Sequence, residues 1–343
     1  MYKAFIRPVL FLISPETVHH LIISFIKIAF KVPFIAAFVR FVYTVKNKKL
    51  ERQVAGLTFP NPVGLAAGFD KNAEFYNEFS SFGFGFIEIG TVTPVGQSGN
   101  PKPRSFRLKA DRALINRMGF NNNGLAAAIR QLDKPHKLVI GGNIGKNTAT
   151  ANDVAYKDYL RCFSELYAHV DYFVVNVSCP NISDLSKLAD QDMLEQILDE
   201  LIKFRASQSI SKPIFLKVSP DLNLKQVDET LHIVQKAGID GLVVANTTVS
   251  REALATSASK VKGIGNGGLS GRPIRERSTE MIRYISKKTD KKLPIIGVGG
   301  IMSAKDAIEK LDAGASLVQL YTGFVYEGPA LVKRINKAIL KEA

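Results

Sequence analysis

The residues most able to do chemistry fall in a few short stretches. NVSCPN, at 176–181, places Cys179 in a Ser-Cys-Pro turn between two asparagines, in a chain of 343 residues with only two cysteines. A free thiol has a pKa of about 8.5, so a few per cent is thiolate at neutral pH. The plain alternative is a small buried apolar cysteine with no chemical task. Ser178, one residue earlier, points to the other face of an extended chain. Asn143, Asn176, Lys217, Asn246 and Thr247 each stand at or near the end of an apolar run. An amide or ammonium in such a place is costly unless paired. One or two could tie strands to loops; five suit a ligand with many hydrogen-bonding atoms. GVGGI (297–301), LYTGF (320–324) and GGLSG (267–271) are turns whose backbone N–H groups could approach a phosphate.

The elements that must position these groups follow a rhythm. Eight short apolar runs recur: NPVGLAAG, FIEIGTVT, LVIGGNIG, YFVVNVS, PIFLKVS, GLVVANTT, PIIGVGG and LVQLYTG. Helix-like stretches such as DMLEQILDELIKFR and LKQVDETLHIVQKAG separate most of them. Strand alternating with helix predicts parallel βαβ units, and eight of them predict a closed (β/α)8 TIM barrel. An open doubly wound sheet is the rival, but the first strand carries no GxGxxG turn. In a barrel the polar strand ends form the active rim, and the turns after strands seven and eight form the usual phosphate site.

The composition is that of a globular protein, 46% hydrophobic and 22% charged. Cys162 and Cys179 make no disulfide framework, and no CxxC pair points to a metal or cluster. A reducing compartment and no metal are expected. Net charge is +15, and residues 1–52 hold nine bases against two acids. Such an excess suits nucleic acid, an anionic membrane or an anionic substrate, or is simply a solvated surface. No basic module with interleaved aromatics is visible, so nucleic acid is not expected.

Residues 1–44 are rich in apolar residues, but Lys27 and Lys31 interrupt the best run, so a transmembrane helix is not expected. A signal peptide fits poorly, because Pro15 and Glu16 follow a short apolar stretch and no small-x-small site appears. SPETVHHLIISFIKIAF reads as a helix with Ser14 as cap, Pro15 in the first turn and Glu16 at the positive end. VPFIAAFVRFVY forms a second short helix. The expectation is an N-terminal two-helix extension (1–44), dipping into an anionic membrane surface or packed on the main domain (45–343).

NPVGLAAGFDKN, EIGTVTP, NRMGFNNNG, NIGKN, NVSCPN, KVSPDL, ANTT, GGLSGRP, IIGVGGI and ASLVQLYTGF resemble dihydroorotate dehydrogenase, from about residue 50 to the C-terminus. The N-terminal segment resembles the extension of its membrane-associated, quinone-linked class (class 2). The resemblance implies oxidation of dihydroorotate to orotate in pyrimidine biosynthesis, with one FMN per chain and a membrane quinone as acceptor. It also implies a monomer at the cytoplasmic face of the cell membrane. A soluble acceptor such as fumarate is the alternative; an NAD route would need a partner carrying an iron–sulfur cluster.

Carried over by motif, the flavin residues are Ala66, Ala67, Gly68, Asp70, Thr91, Asn143, Asn176, Lys217, Gly271, Gly300, Tyr321 and Thr322. Ala245 stands where the family often has threonine, so one flavin hydrogen bond is absent or made by water. Substrate contacts come from Lys71, Asn116, Arg117, Met118, Gly119, Phe120, Asn176, Asn181, Asn246 and Thr247. Orotate is a planar anion edged with donors and acceptors, and asparagine supplies both. Lys217 suits negative charge on the reduced flavin. His19 and Arg107 match positions near the quinone site. The catalytic base falls at Cys179, where the quinone-linked class usually has serine and the soluble classes cysteine. NISDLSKLAD, which follows, reads as a lid.

Overall fold

The computed structural model describes residues 2–134, 138–177 and 188–342. Cys179, Asn181 and most of the expected lid lie outside the described residues. The eight expected strands form one closed parallel barrel. They are β1 (Val63–Asp70), β2 (Phe86–Val92), β3 (Val139–Ile144), β4 (Tyr172–Asn176), β5 (Ile214–Val218), β6 (Gly241–Val244), β7 (Ile295–Val298) and β8 (Leu317–Leu320). Each strand pairs with its successor in the chain, and β8 closes on β1. Helices run between the strands, as Leu224–Ala237 does after β5.

Side chains alternate between the inside of the barrel and the helix layer, as a period of two requires. On β4, Tyr172 and Val174 face inward, while Phe173 and Val175 pack against helices. On β5, Phe215 faces inward between Ile214 and Leu216. The inward aromatics Phe86, Tyr172 and Phe215 each need space that a neighbouring strand supplies with a glycine. A Cβ on Gly64 would lie 2.3 Å from the Phe86 ring, one on Gly141 2.2 Å from Tyr172, and one on Gly241 2.5 Å from Phe215. A short hairpin (Arg52–Val54 and Leu57–Phe59) precedes β1 and sets Phe59 against Phe86 and Tyr172, with ring centroids 5.2 and 6.3 Å apart. The lower half of the barrel is therefore filled with rings, and the polar groups are confined to the upper half.

The N-terminal extension has one more piece than expected. Tyr2–Ile6 and Arg7–Leu10 are helical turns ahead of α1 (Pro15–Ala29) and α2 (Ile35–Tyr43). Ser14 caps α1, accepting from the Thr17 amide at 3.3 Å. The extension is pinned to the barrel by polar contacts: Tyr2 Oη donates to the Val325 carbonyl at 2.6 Å, and Arg104 Nη2 pairs with Glu16 at 2.7 Å. Leu21, Phe25 and Ile28 on α1, and Phe34, Phe38 and Phe41 at and along α2, remain exposed. Among the described residues no single helix is long and apolar enough to cross a membrane; the only pair that passes together is bent by 119°.

Removing the Phe59 ring leaves a hole between two rings that cannot close over it. Phe59→Ala is expected to destabilise the barrel by about 3–5 kcal/mol. Urea unfolding would show this as a lower midpoint with an unchanged slope, and an unmoved midpoint would mean that the hairpin is not a plug.

Candidate active site

The site is built from the inward positions above the aromatic layer. Asn176 ends β4 and Lys217 lies near the end of β5, and the two face each other in register. Parity continues the inward rows: 172, 174, 176 on β4 and 215, 217 on β5. The same rule brings Glu88 inward above Phe86 and Gln319 inward above Leu317. All four are buried.

One chain of hydrogen bonds joins these groups. The Glu88 carboxylate accepts from Asn143 Nδ2 at 2.7 Å and from Gln319 Nε2. Asn143 Oδ1 accepts from the Thr91 hydroxyl at 2.5 Å, and Thr91 Oγ1 accepts from Asn176 Nδ2 at 3.0 Å. Asn176 Oδ1 accepts from Asn246 Nδ2 at 3.4 Å. Burial lowers the pKa of the Lys217 ammonium, and the nearby Glu88 carboxylate opposes that shift. Burial also brings Lys71 down to about 8, with its Nζ donating to the Gly68 carbonyl at 2.9 Å.

Above this floor opens a cavity of 1180 Å³. It is lined by Ala66, Ala67, Gly68, Lys71, Thr91, Asn116, Arg117, Met118, Gly119, Phe120, Asn176, Lys217, Ala245, Asn246, Thr247, Gly271, Gly300, Tyr321 and Thr322, so the structure brings nearly all the expected residues together. Asn143 lies beneath the wall, tied to Glu88 and Thr91. Asp70 is not on the wall. Its carboxylate accepts from the Glu74 and Phe75 amides at 2.8 and 3.0 Å and so holds the turn after β1. Burial raises it to about 6.

At one end of the cavity three loops meet. A Cβ on Gly300 would lie 2.4 Å from Arg275 Cα, one on Gly271 2.4 Å from the Arg112 carbonyl, and one on Gly323 1.9 Å from the Ile301 carbonyl. Gly300 also has a φ of +74°, which glycine tolerates best. Ser270 Oγ and Thr322 Oγ1 are 2.8 Å apart in the same corner. This is a cradle of backbone and hydroxyls closed to any larger side chain, the construction that suits a phosphate group.

A second cavity of 640 Å³ lies between the extension and the barrel. His19, Arg107, Val18, Ile22 and Phe69 line it, so the two expected quinone-site residues stand together. Burial, with the Lys71 ammonium adding to it, pulls His19 down to about 3 and keeps the imidazole neutral. Its ring meets the edge of Phe69 at 5.0 Å. The Arg107 guanidinium sits 4.5 Å over the Phe11 ring and donates to the Ile13 carbonyl. Lys71, Asn116, Met118, Ser270 and Tyr321 line both cavities and are the wall between them.

Sequence reasoning passed over Glu88, Gln319 and Ser270. Glu88 left a signal: it is the single charge in FIEIG, at the inward parity of a strand buried on both faces. Gln319 stands likewise among Leu317, Val318 and Leu320.

With this geometry established, comparison with known proteins is specific. The family model described as dihydroorotate dehydrogenase matches residues 49–342. A relative from Christiangramia forsetii named dihydroorotate dehydrogenase (quinone) is 53% identical over 342 residues, covering 100% of this chain and 99% of its own length. One of the same name from Neisseria meningitidis serogroup C is 41% identical over 343 residues, covering 98% and 97%. The ligand-free DHODH structure from Eimeria tenella superposes with a TM-score of 0.84 at 36% identity, covering 96% of this chain and 94% of that one. A barrel with this rim, this second cavity and this length of match has one placement: the chain belongs to the dihydroorotate dehydrogenase family, in its quinone-linked class 2.

Proposed function

We infer that this protein oxidises dihydroorotate to orotate and passes the electrons to a quinone, as a step of pyrimidine biosynthesis. The observation that carries the inference is the shared wall. Among the described residues, a cavity ringed by asparagines and a separate cavity under the N-terminal helices have Lys71, Asn116, Met118, Ser270 and Tyr321 in common. A planar anion fits the first and an apolar ring the second. A small dianion such as fumarate has no use for the second, so the fumarate reading is not favoured.

The residues present fit FMN. The glycine cradle at 271, 300 and 323 suits its phosphate, and Ala66, Ala67 and Gly68 line the same cavity as Lys217. Held there, FMN would supply the two-electron redox chemistry between dihydroorotate and the quinone. The protein's own groups do the rest. Lys217 places positive charge where negative charge collects. Lys71 and the asparagines hold the substrate carboxylate and ring edge. The Ala245 side chain offers no hydrogen bond, and its backbone amide is spent on the Val298 carbonyl at 2.9 Å.

We assign Cys179 as the base that takes the carbon-bound proton, with Asn181 as a further substrate contact and 181–190 as a lid. A thiolate is already present at neutral pH, whereas serine needs a relay to lose its proton. We further propose that residues 1–44 form a membrane- and quinone-binding unit on a barrel of 45–343, acting as a monomer at the inner face of the cell membrane. Exposed Leu21, Phe25, Phe34 and Phe41, with Lys31 among them, suit insertion into an anionic surface.

Two experiments test these assignments. Val18→Trp fills the second cavity and is expected to raise the KM for a short-chain ubiquinone about tenfold or more, with flavin reduction by dihydroorotate unchanged. Equal loss of both half-reactions, or fumarate serving as well as quinone, would sink the two-cavity reading. Cys179→Ala should lower turnover by about 10²–10⁴-fold with FMN retained. In the native enzyme, activity should rise with pH as the thiol titrates, and Cys179→Ser should displace that limb upward. Full turnover by Cys179→Ala removes the cysteine from the mechanism.

A further inference from the structure

We propose that Glu88 is the positioning residue that sets the donor and acceptor directions of the asparagine rim, through the chain Glu88–Asn143–Thr91–Asn176–Asn246. The proposal rests on the functional reading above only for the identity of the ligand.

A carboxylate can only accept hydrogen bonds, whereas a neutral amide can turn over and exchange donor for acceptor. Glu88 is fully buried, and both groups that reach it are amides, Asn143 Nδ2 at 2.7 Å and Gln319 Nε2. Asn143 must therefore turn its Nδ2 toward Glu88, which leaves Oδ1 facing Thr91. The Thr91 proton is then committed to Asn143 at 2.5 Å, and Thr91 Oγ1 accepts from Asn176 Nδ2 at 3.0 Å. That orients Asn176 with Oδ1 toward Asn246 Nδ2 at 3.4 Å, and leaves Asn246 Oδ1 accepting from the Thr247 amide at 2.9 Å.

The direction is thus propagated through β2, β3 and β4 to the turn after β6 from one acceptor-only group that itself lies off the cavity wall. Asn176 and Asn246 are on the wall. An uncharged residue at 88 would leave two directions of the chain close in energy, and a ligand edge with fixed donors and acceptors matches one of them. The same carboxylate supplies the negative charge near Lys217.

Glu88→Gln keeps shape and volume and removes the constraint. In the FMN-loaded enzyme it is expected to weaken equilibrium binding of orotate by about tenfold to a hundredfold, the loss of a charge-assisted bond. The double variant Glu88→Gln, Asn143→Asp returns an acceptor-only group one position along, where it can accept from both residue 88 and Thr91. It should recover most of the affinity, which a purely structural role would not. Orotate affinity within twofold of native in Glu88→Gln, or no recovery in the double variant, overturns the proposal.

A second readout needs no ligand. The side-chain amide NMR resonances of Asn143, Asn176 and Asn246 should move together in Glu88→Gln. A change confined to Asn143 overturns the proposal, even if native protein fails to bind orotate and the functional reading itself falls.

Discussion

A closed barrel of eight strands has to fill its own interior, and this requirement organises everything above it. The inward rows begin with Phe86, Tyr172 and Phe215, seated against glycines at 64, 141 and 241 and closed from below by Phe59. Rings there exclude water from the lower half. The next inward residues are Glu88, Asn143, Gln319 and Lys217, which meet one another in a space that no water-filled floor dilutes. Their charges and hydrogen bonds act at low dielectric, where a bond is stronger and an unmade one is costlier.

That setting explains the economy of the site. Lys217, pushed toward neutrality by burial, keeps a carboxylate nearby that opposes the shift. Glu88 answers two amides as well as that ammonium, so a single buried acid serves both charge balance and orientation. The upper rim can then present asparagine, a side chain that is not directional by itself, in a defined direction. Lys71 sits at the corner where this chamber and the one under the extension come closest, and Tyr321 shares that corner.

The extension is held by a few polar ties on one side and left apolar on the other. Glu16 with Arg104 and Tyr2 with the Val325 carbonyl fix its seat, while the apolar residues of α1 at 21, 25 and 28 face outward. A helix with apolar residues on both flanks cannot satisfy them against one barrel alone. One flank roofs the second cavity, where Val18, His19 and Ile22 line it, and the other stays exposed.

The sequence by itself determined the barrel, its eight strands and most of the rim, because strand alternation, glycine turns and polar strand ends are local patterns. The helices from Ser14 and before Tyr43 were equally local, read from a cap and a spacing. Tertiary structure alone decided what those patterns meet. Asp70 lies in the same motif as Lys71, yet its carboxylate turns back to hold the Glu74 and Phe75 amides while Lys71 lines the cavity. Glu88 and Gln319 come together from strands 231 residues apart, and no spacing rule links them. The wall shared by two chambers likewise draws on four separate places in the chain. Such contacts depend on barrel closure and register, which a linear pattern implies only in kind, and on side-chain direction, which packing selects once the strands are in place.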